Sequence, residues 1–132
     1  MLPAIVALLM AGLPLQFSEL VAPPDPREIW LDALQKCENE NHVKKILDSN
    51  NKFSYGDFMF QMDTWLMYGK KFGATRDNIA SSSLQRIVAR NMLNKDGWRH
   101  WFICGKIVQK SFGQYPSSLN SKAVQKVYGD YE

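Results

Sequence analysis

Apolar positions recur at helical spacing in several stretches of the chain, separated by clusters of turn-forming residues. Over Arg27 to Asn39, the residues Ile29, Trp30, Ala33, Leu34 and Cys37 share one face. Pro23 and Pro24 keep the preceding segment extended, Asp25 is a natural N-cap, and Pro26 suits the first helical position. This first helix is expected to end around Asn39 to Asn41. Val43, Ile46 and Leu47 follow, then the turn cluster Asp48 to Lys52 and a short extended run to Gly56, so a small β-hairpin or an irregular loop belongs here. A second helix is expected over roughly Asp57 to Phe72, with Gly73 as its stop. Phe58, Phe60, Met62, Trp65, Leu66, Met67 and Tyr68 make it apolar on several sides, which predicts the central buried helix.

A third helix is expected from Asn78 to Gly97. Ile79, Leu84, Ile87, Val88 and Met92 fall on one face, and Gln85, Arg86 and Arg90 on the other. Gly97 to Cys104 opens a fourth segment, helical through about Gln109. Beyond Gly113 the composition turns polar, with one short helix expected near Lys122 to Val127. The pattern as a whole predicts a mainly α chain of the α+β class with a small hairpin, and shows no internal repeat.

The first 22 residues differ in kind. They hold an apolar core, one acidic residue (Glu19) and no basic one. The core is shorter than the roughly twenty residues a spanning helix needs, which suits a signal peptide or an N-terminal anchor. A single domain is then expected over residues 23–113, with a C-terminal tail over 114–132. The length of 132 residues, 45% hydrophobic, is that of one folded domain and excludes a disordered chain. The net charge of +3 is a mild preference for anionic partners and selects none. No run of Lys or Arg exceeds two, and the basic residues are dispersed over several helices, so no nucleic-acid partner is expected.

Candidate chemistry centres on Glu38. It adjoins Cys37 and the apolar face of the first helix, at a helix C-terminus where the dipole disfavours negative charge; both influences raise its pKa. Periodicity alone favours a solvated glutamate on a fraying end. Cys37 and Cys104 fit one disulfide in an exported chain, or two small core residues in a cytosolic one. Cys37 with His42, and His100 with Cys104, also supply a Cys2His2 zinc alternative, although the two pairs lie far apart. Tyr55, Trp98 and Trp101 are aromatic surfaces on which sugars could stack, with Trp98 expected to be the most exposed and Trp65 and Trp101 to pack in the core. His100 suits either a substrate hydroxyl or a scaffold hydrogen bond. Asp48 reads as an Asx-type turn residue.

In order along the chain stand Cys37-Glu38, Asp48-Ser49-Asn50, Ser54-Tyr55-Gly56, Phe58 and Phe60, Thr64-Trp65, Gln85 with Val88-Ala89, and His100-Trp101 with Cys104. This series resembles the lytic transglycosylase and goose-type lysozyme superfamily over residues 29–107. The resemblance implies a lysozyme-like helical domain that cleaves the MurNAc–GlcNAc β-1,4 bond of peptidoglycan, with Glu38 as the single acid/base. It implies substrate contacts at Ser54, Tyr55, Gly56, Met59 and Thr64, which Trp98 and His100 join on their own chemistry, and a helix containing Gln85 packed behind the cleft. It implies no metal or other cofactor, an exported monomer, and a Cys37–Cys104 bond that fixes Glu38 in place. Two departures stand out. The family's cleft glutamine falls on Met59, with Gln61 as a replacement only in another register, and Asn39 and Glu40 stand where small residues usually follow the catalytic Glu. Glu40 is therefore a rival acid, Asp48 a candidate second carboxylate for an inverting hydrolase, and a non-catalytic wall-binding module on the same fold the alternative that Met59 favours.

Overall fold

The computed structural model describes residues 23–117. The expected leader over 1–22 and the short helix near Lys122 to Val127 lie outside the described residues. Helix α1 spans Pro26–Asn39, and the Asp25 carboxylate caps it by accepting from the Arg27 N–H at 2.9 Å. The same carboxylate takes two bonds from the Arg27 guanidinium, and the pair is buried. The buried stripe of α1 is Arg27, Trp30, Leu31 and Leu34, so Ile29, expected inside, faces solvent. An arginine that carries its own counter-ion into the core turns the helix about its axis.

Three short strands follow: β1 Lys45–Leu47, β2 Phe53–Tyr55 and β3 Phe60–Gln61, antiparallel in that order. Ile46 pairs with Ser54, and Ser54 with Gln61. The expected hairpin is present, closed by Asp48 and Asn51, and a third strand extends it. Helix α2 is Met62–Gly69, continued by a 3-10 turn over Lys70–Phe72 that stops at Gly73 as expected. Its start corrects the expectation of Asp57. Phe58 and Phe60 mimic a helical apolar run, but the chain turns at Gly56 to Met59, and Met59 takes a left-handed φ of 51°.

Helix α3 spans Ser82–Asp96, with the Ser81 hydroxyl as N-cap in place of Asn78. This is the buried central helix, not α2, whose Met67 is exposed. Gln85 and Arg90, expected on the solvent side, are buried, while Ile87 is exposed. Both polar groups go inside because distant segments satisfy them. Arg90 meets both oxygens of Glu28, and Arg86 meets Glu28 and Asp32, which ties α3 to α1. A 3-10 turn over Gly97–His100 leads into α4, Phe102–Phe112, somewhat longer than expected. Trp65 and Trp101 pack in the core as the sequence suggests, and each indole donates to a backbone carbonyl. The core continues past Gly113: Tyr115 is buried and meets Trp30 edge to face.

Gln85 holds the turn between β2 and β3. Its side-chain carbonyl accepts from the Phe58 N–H at 2.8 Å, and its amide donates to the carbonyls of Tyr55 (2.8 Å) and Ile79 (2.5 Å). A Cβ at Gly56, whose φ is +72°, would lie 2.7 Å from Gln85 Cδ, so only glycine leaves room for this amide. Gln85→Ala strands three buried backbone groups at about 1–3 kcal/mol each. We therefore expect urea unfolding to show a loss of ~3 kcal/mol or more; a loss under about 1 kcal/mol would mean that the turn is held by other contacts.

Candidate active site

The end of α1 and the three-stranded sheet face one another across a cleft of about 320 Å³. Glu38, in the last turn of α1, stands half-buried on one side. Its neighbour Asn39 turns inward instead. The Asn39 amide donates to the carbonyls of Val43 (2.7 Å) and Gly56 (2.9 Å), while its oxygen accepts from the Val43 N–H. One residue past the acid, the helix is thus locked onto the sheet. This gives the departure at Asn39 a physical reason, because a smaller residue could not reach both the Val43 and the Gly56 carbonyls.

The sheet's register builds the opposite wall. Ile46, Ser54 and Gln61 form one row across the three strands, and all line the cleft. Asp48, two residues beyond Ile46, falls on the same face. Its carboxylate accepts hydrogen bonds from the Ser54 hydroxyl and from the Gln61 amide, the latter at 3.0 Å. The Asx role expected of Asp48 is filled by Asn50, whose oxygen accepts from the Lys52 N–H. Asp48, offered from sequence as a turn residue or a second carboxylate, and Gln61, offered as a replacement in another register, are therefore both cleft residues. The signal that could have found them is the hairpin register: with Ile46 opposite Ser54, alternation carries 46, 48 and 54 to one face.

Burial raises the Glu38 pKa to about 7, and the negative charge of Asp48 across the cleft adds to the shift. Desolvation is the larger cause, and both disfavour the ionised form. Glu38 can thus carry a proton near neutral pH and release it again. Glu40, the rival acid, caps α1 in open solvent outside the cleft.

Of the other residues singled out from sequence, Ser54, Met59, Thr64 and His100 line the same cleft as Glu38. His100 is paired with Asp96 at 2.8 Å and lies edge-on to Tyr68. Gly56 is buried beneath the turn, against Gln85. Tyr55 lies with Phe53 on the opposite face of β2, over a separate depression edged by Arg76. Trp98 borders another depression, near Lys95 and Arg99, and its ring is half-buried against Phe102. Neither aromatic borders the Glu38 cleft. The aromatic rings that do are Phe58, Phe60 and Trp101.

Cys37 and Cys104 form a disulfide with Cα atoms 5.7 Å apart, joining the end of α1 to the start of α4. Both sulfurs are consumed by this bond, so the Cys2His2 zinc alternative loses its thiolates. His42 pairs with Asp57, and no group of three potential metal-binding side chains occurs among the described residues. The bond suits an oxidising, extracytoplasmic setting. No helix among the described residues is long and apolar enough to cross a membrane.

Fold and cleft together define a class: an α+β domain with one desolvated acid at a helix end, facing a small antiparallel sheet. A family model described as a transglycosylase-like domain matches residues 26–104, and the chain belongs to that family. The match runs from the first residue of α1 to the second cysteine. Comparison with curated proteins and with solved structures gives no match.

A carboxyl whose pKa rises on folding binds more protons in the folded state, so its contribution to stability declines as pH rises. For Glu38 the decline spans the interval from the ordinary value of 4.5 to about 7. Glu38→Gln should therefore match the parent in melting temperature near pH 4 and exceed it at pH 8. Equal differences at both pH values would show that the carboxyl is fully hydrated.

Proposed function

We propose that the chain cleaves the β-1,4 bond between N-acetylmuramic acid and N-acetylglucosamine in peptidoglycan, with Glu38 as general acid and then base. Membership of the transglycosylase-like family supports a glycan substrate. The observation that carries the reading is the position of Glu38, half-buried in a polar cleft and holding its proton to about pH 7. In the first step Glu38 gives its proton to the glycosidic oxygen, the bond to the anomeric carbon breaks, and positive charge builds on the sugar ring. In the second step the Glu38 carboxylate removes a proton from the 6-hydroxyl of the same sugar, whose oxygen closes on the anomeric carbon as an anhydro product. The chain would act outside the cytoplasm, where its disulfide persists and its glycan strands lie, as a monomer needing no cofactor.

The Asp48 cluster favours a second reading, in which water displaces the leaving sugar in one step while Glu38 protonates the glycosidic oxygen. In that reading Asp48, whose carboxylate accepts from Ser54 and Gln61 in the same cleft, would take the proton from the attacking water, as the base of an inverting glycosidase does. The product would then carry a free reducing end. A wall-binding module without activity remains the reading that Met59 suggested from sequence.

Zymography on purified cell wall, with analysis of the released sugars, separates the three. The parent should clear the wall, and Glu38→Gln should lower the rate about 10²-fold or more. Activity should fall as pH rises above about 7, as Glu38 loses its proton. Anhydro ends that persist in Asp48→Asn support the transglycosylase, whereas reducing ends that vanish in Asp48→Asn support the hydrolase. A folded parent that binds the wall without clearing it overturns both.

A further inference from the structure

The face that α4 turns away from the core exposes three large apolar side chains interleaved with lysines. Phe102, Ile103 and Ile107 are 66%, 71% and 53% exposed, while Cys104, Gly105 and Val108 of the same helix are buried. Helical spacing sets Lys106 and Lys110 between Phe102 and the two isoleucines. The Lys106 ammonium lies 4.8 Å from the Phe102 ring centre and 6.0 Å from that of Trp98. The helix contains no acidic residue.

We propose that this face of α4 docks on the surface of an anionic lipid bilayer. The apolar side chains that protrude from this face would enter the boundary between headgroups and acyl chains, as the apolar face of an interfacial helix does. The lysine stems run along the same surface, and their ammonium groups reach the headgroup phosphates. A second copy of the chain fits less well, because a two-fold contact would bring four lysines against one another. The first turns of α1 pack on the segment after α4: the Trp30 indole donates to the Gly113 carbonyl at 2.9 Å. The acidic groups nearby are Glu40, beside Lys36 at the groove between α1 and α4, and Asp96, which His100 engages.

The test uses the full chain and vesicles of phosphatidylglycerol with brominated acyl chains, read by tryptophan fluorescence. Residues 1–22 contain no tryptophan, and Trp30, Trp65 and Trp101 are buried, so Trp98 is the reporter beside the docking face. Quenching is expected, and insertion of the N-terminal stretch alone would not give it. The double change Ile103→Ser with Ile107→Ser should weaken the quenching isotherm at least about tenfold. Lys106→Glu with Lys110→Glu should abolish the preference for phosphatidylglycerol over phosphatidylcholine. Unchanged thermal melts would confirm that both variants fold. No quenching, identical isotherms for parent and variants, or a lipid-independent dimer dispersed by the isoleucine changes would overturn the proposal.

Discussion

The turn at Gly56 is held between two buried amides, and the cleft depends on that clamp. Asn39 donates to the Gly56 carbonyl from the end of α1, and Gln85 fills the space beside the Gly56 Cα from α3. The next stretch of backbone is held from two further sides. Gln85 takes the Phe58 N–H, and the Trp101 indole donates to the Phe58 carbonyl at 2.9 Å. A three-stranded sheet of eight residues could not keep its shape alone, since isolated hairpins are marginal in water. Here the helices impose its shape through hydrogen bonds that cost little because each buried polar group finds a partner.

The same clamp sets the electrostatics. Asn39 follows Glu38 directly, so whatever fixes the amide of one fixes the Cα of the other. The disulfide adds a second restraint one residue earlier, closing a loop with a sequence separation of 67. By chain entropy such a loop is worth about 4 kcal/mol. With the helix end held on both sides, the backbone of Glu38 stays at the cleft edge, where burial raises its pKa. Asp48 faces it from a sheet held just as firmly by Ser54 and Gln61. Two carboxylates on rigid supports disfavour simultaneous ionisation, and the more desolvated of them keeps the proton.

What the sequence made legible follows from how local each signal is. The Asp25 cap, the end of α1, the Gly73 stop and the Gly97 end of α3 are each written within a few residues, and all appear where expected. The Phe58-Met59-Phe60 run misled because its conformation is decided elsewhere: by Gln85, 27 residues away, and by Trp101, 43 residues away. Arg90 misled for a similar reason, since its partner Glu28 lies 62 residues distant. Within the cleft, Glu38, Ser54, Met59 and Thr64, named from the family resemblance, and His100, named from its own chemistry, line the same walls. Tyr55 lies elsewhere because alternation along β2 sends it to the face opposite Ser54, a consequence that needs the strand register.

Met59 was the strongest sequence argument against a working cleft, since an apolar side chain occupies the position of a polar contact. Its left-handed backbone changes that argument. A residue with φ of 51° reverses the chain, and β3 then begins one position later, with Phe60 turned into the core and Gln61 back toward the cleft. The amide absent at Met59 is thus present two residues on, on the same wall and bonded to Asp48 and Asn50. A methionine in this conformation costs roughly 1–2 kcal/mol that glycine would not. What offsets the strain is the pair of bonds on Phe58 and the burial of Phe60 against Trp65 and Trp101. The polar character of the cleft therefore depends on a strained turn, and that turn on the two amides beneath it.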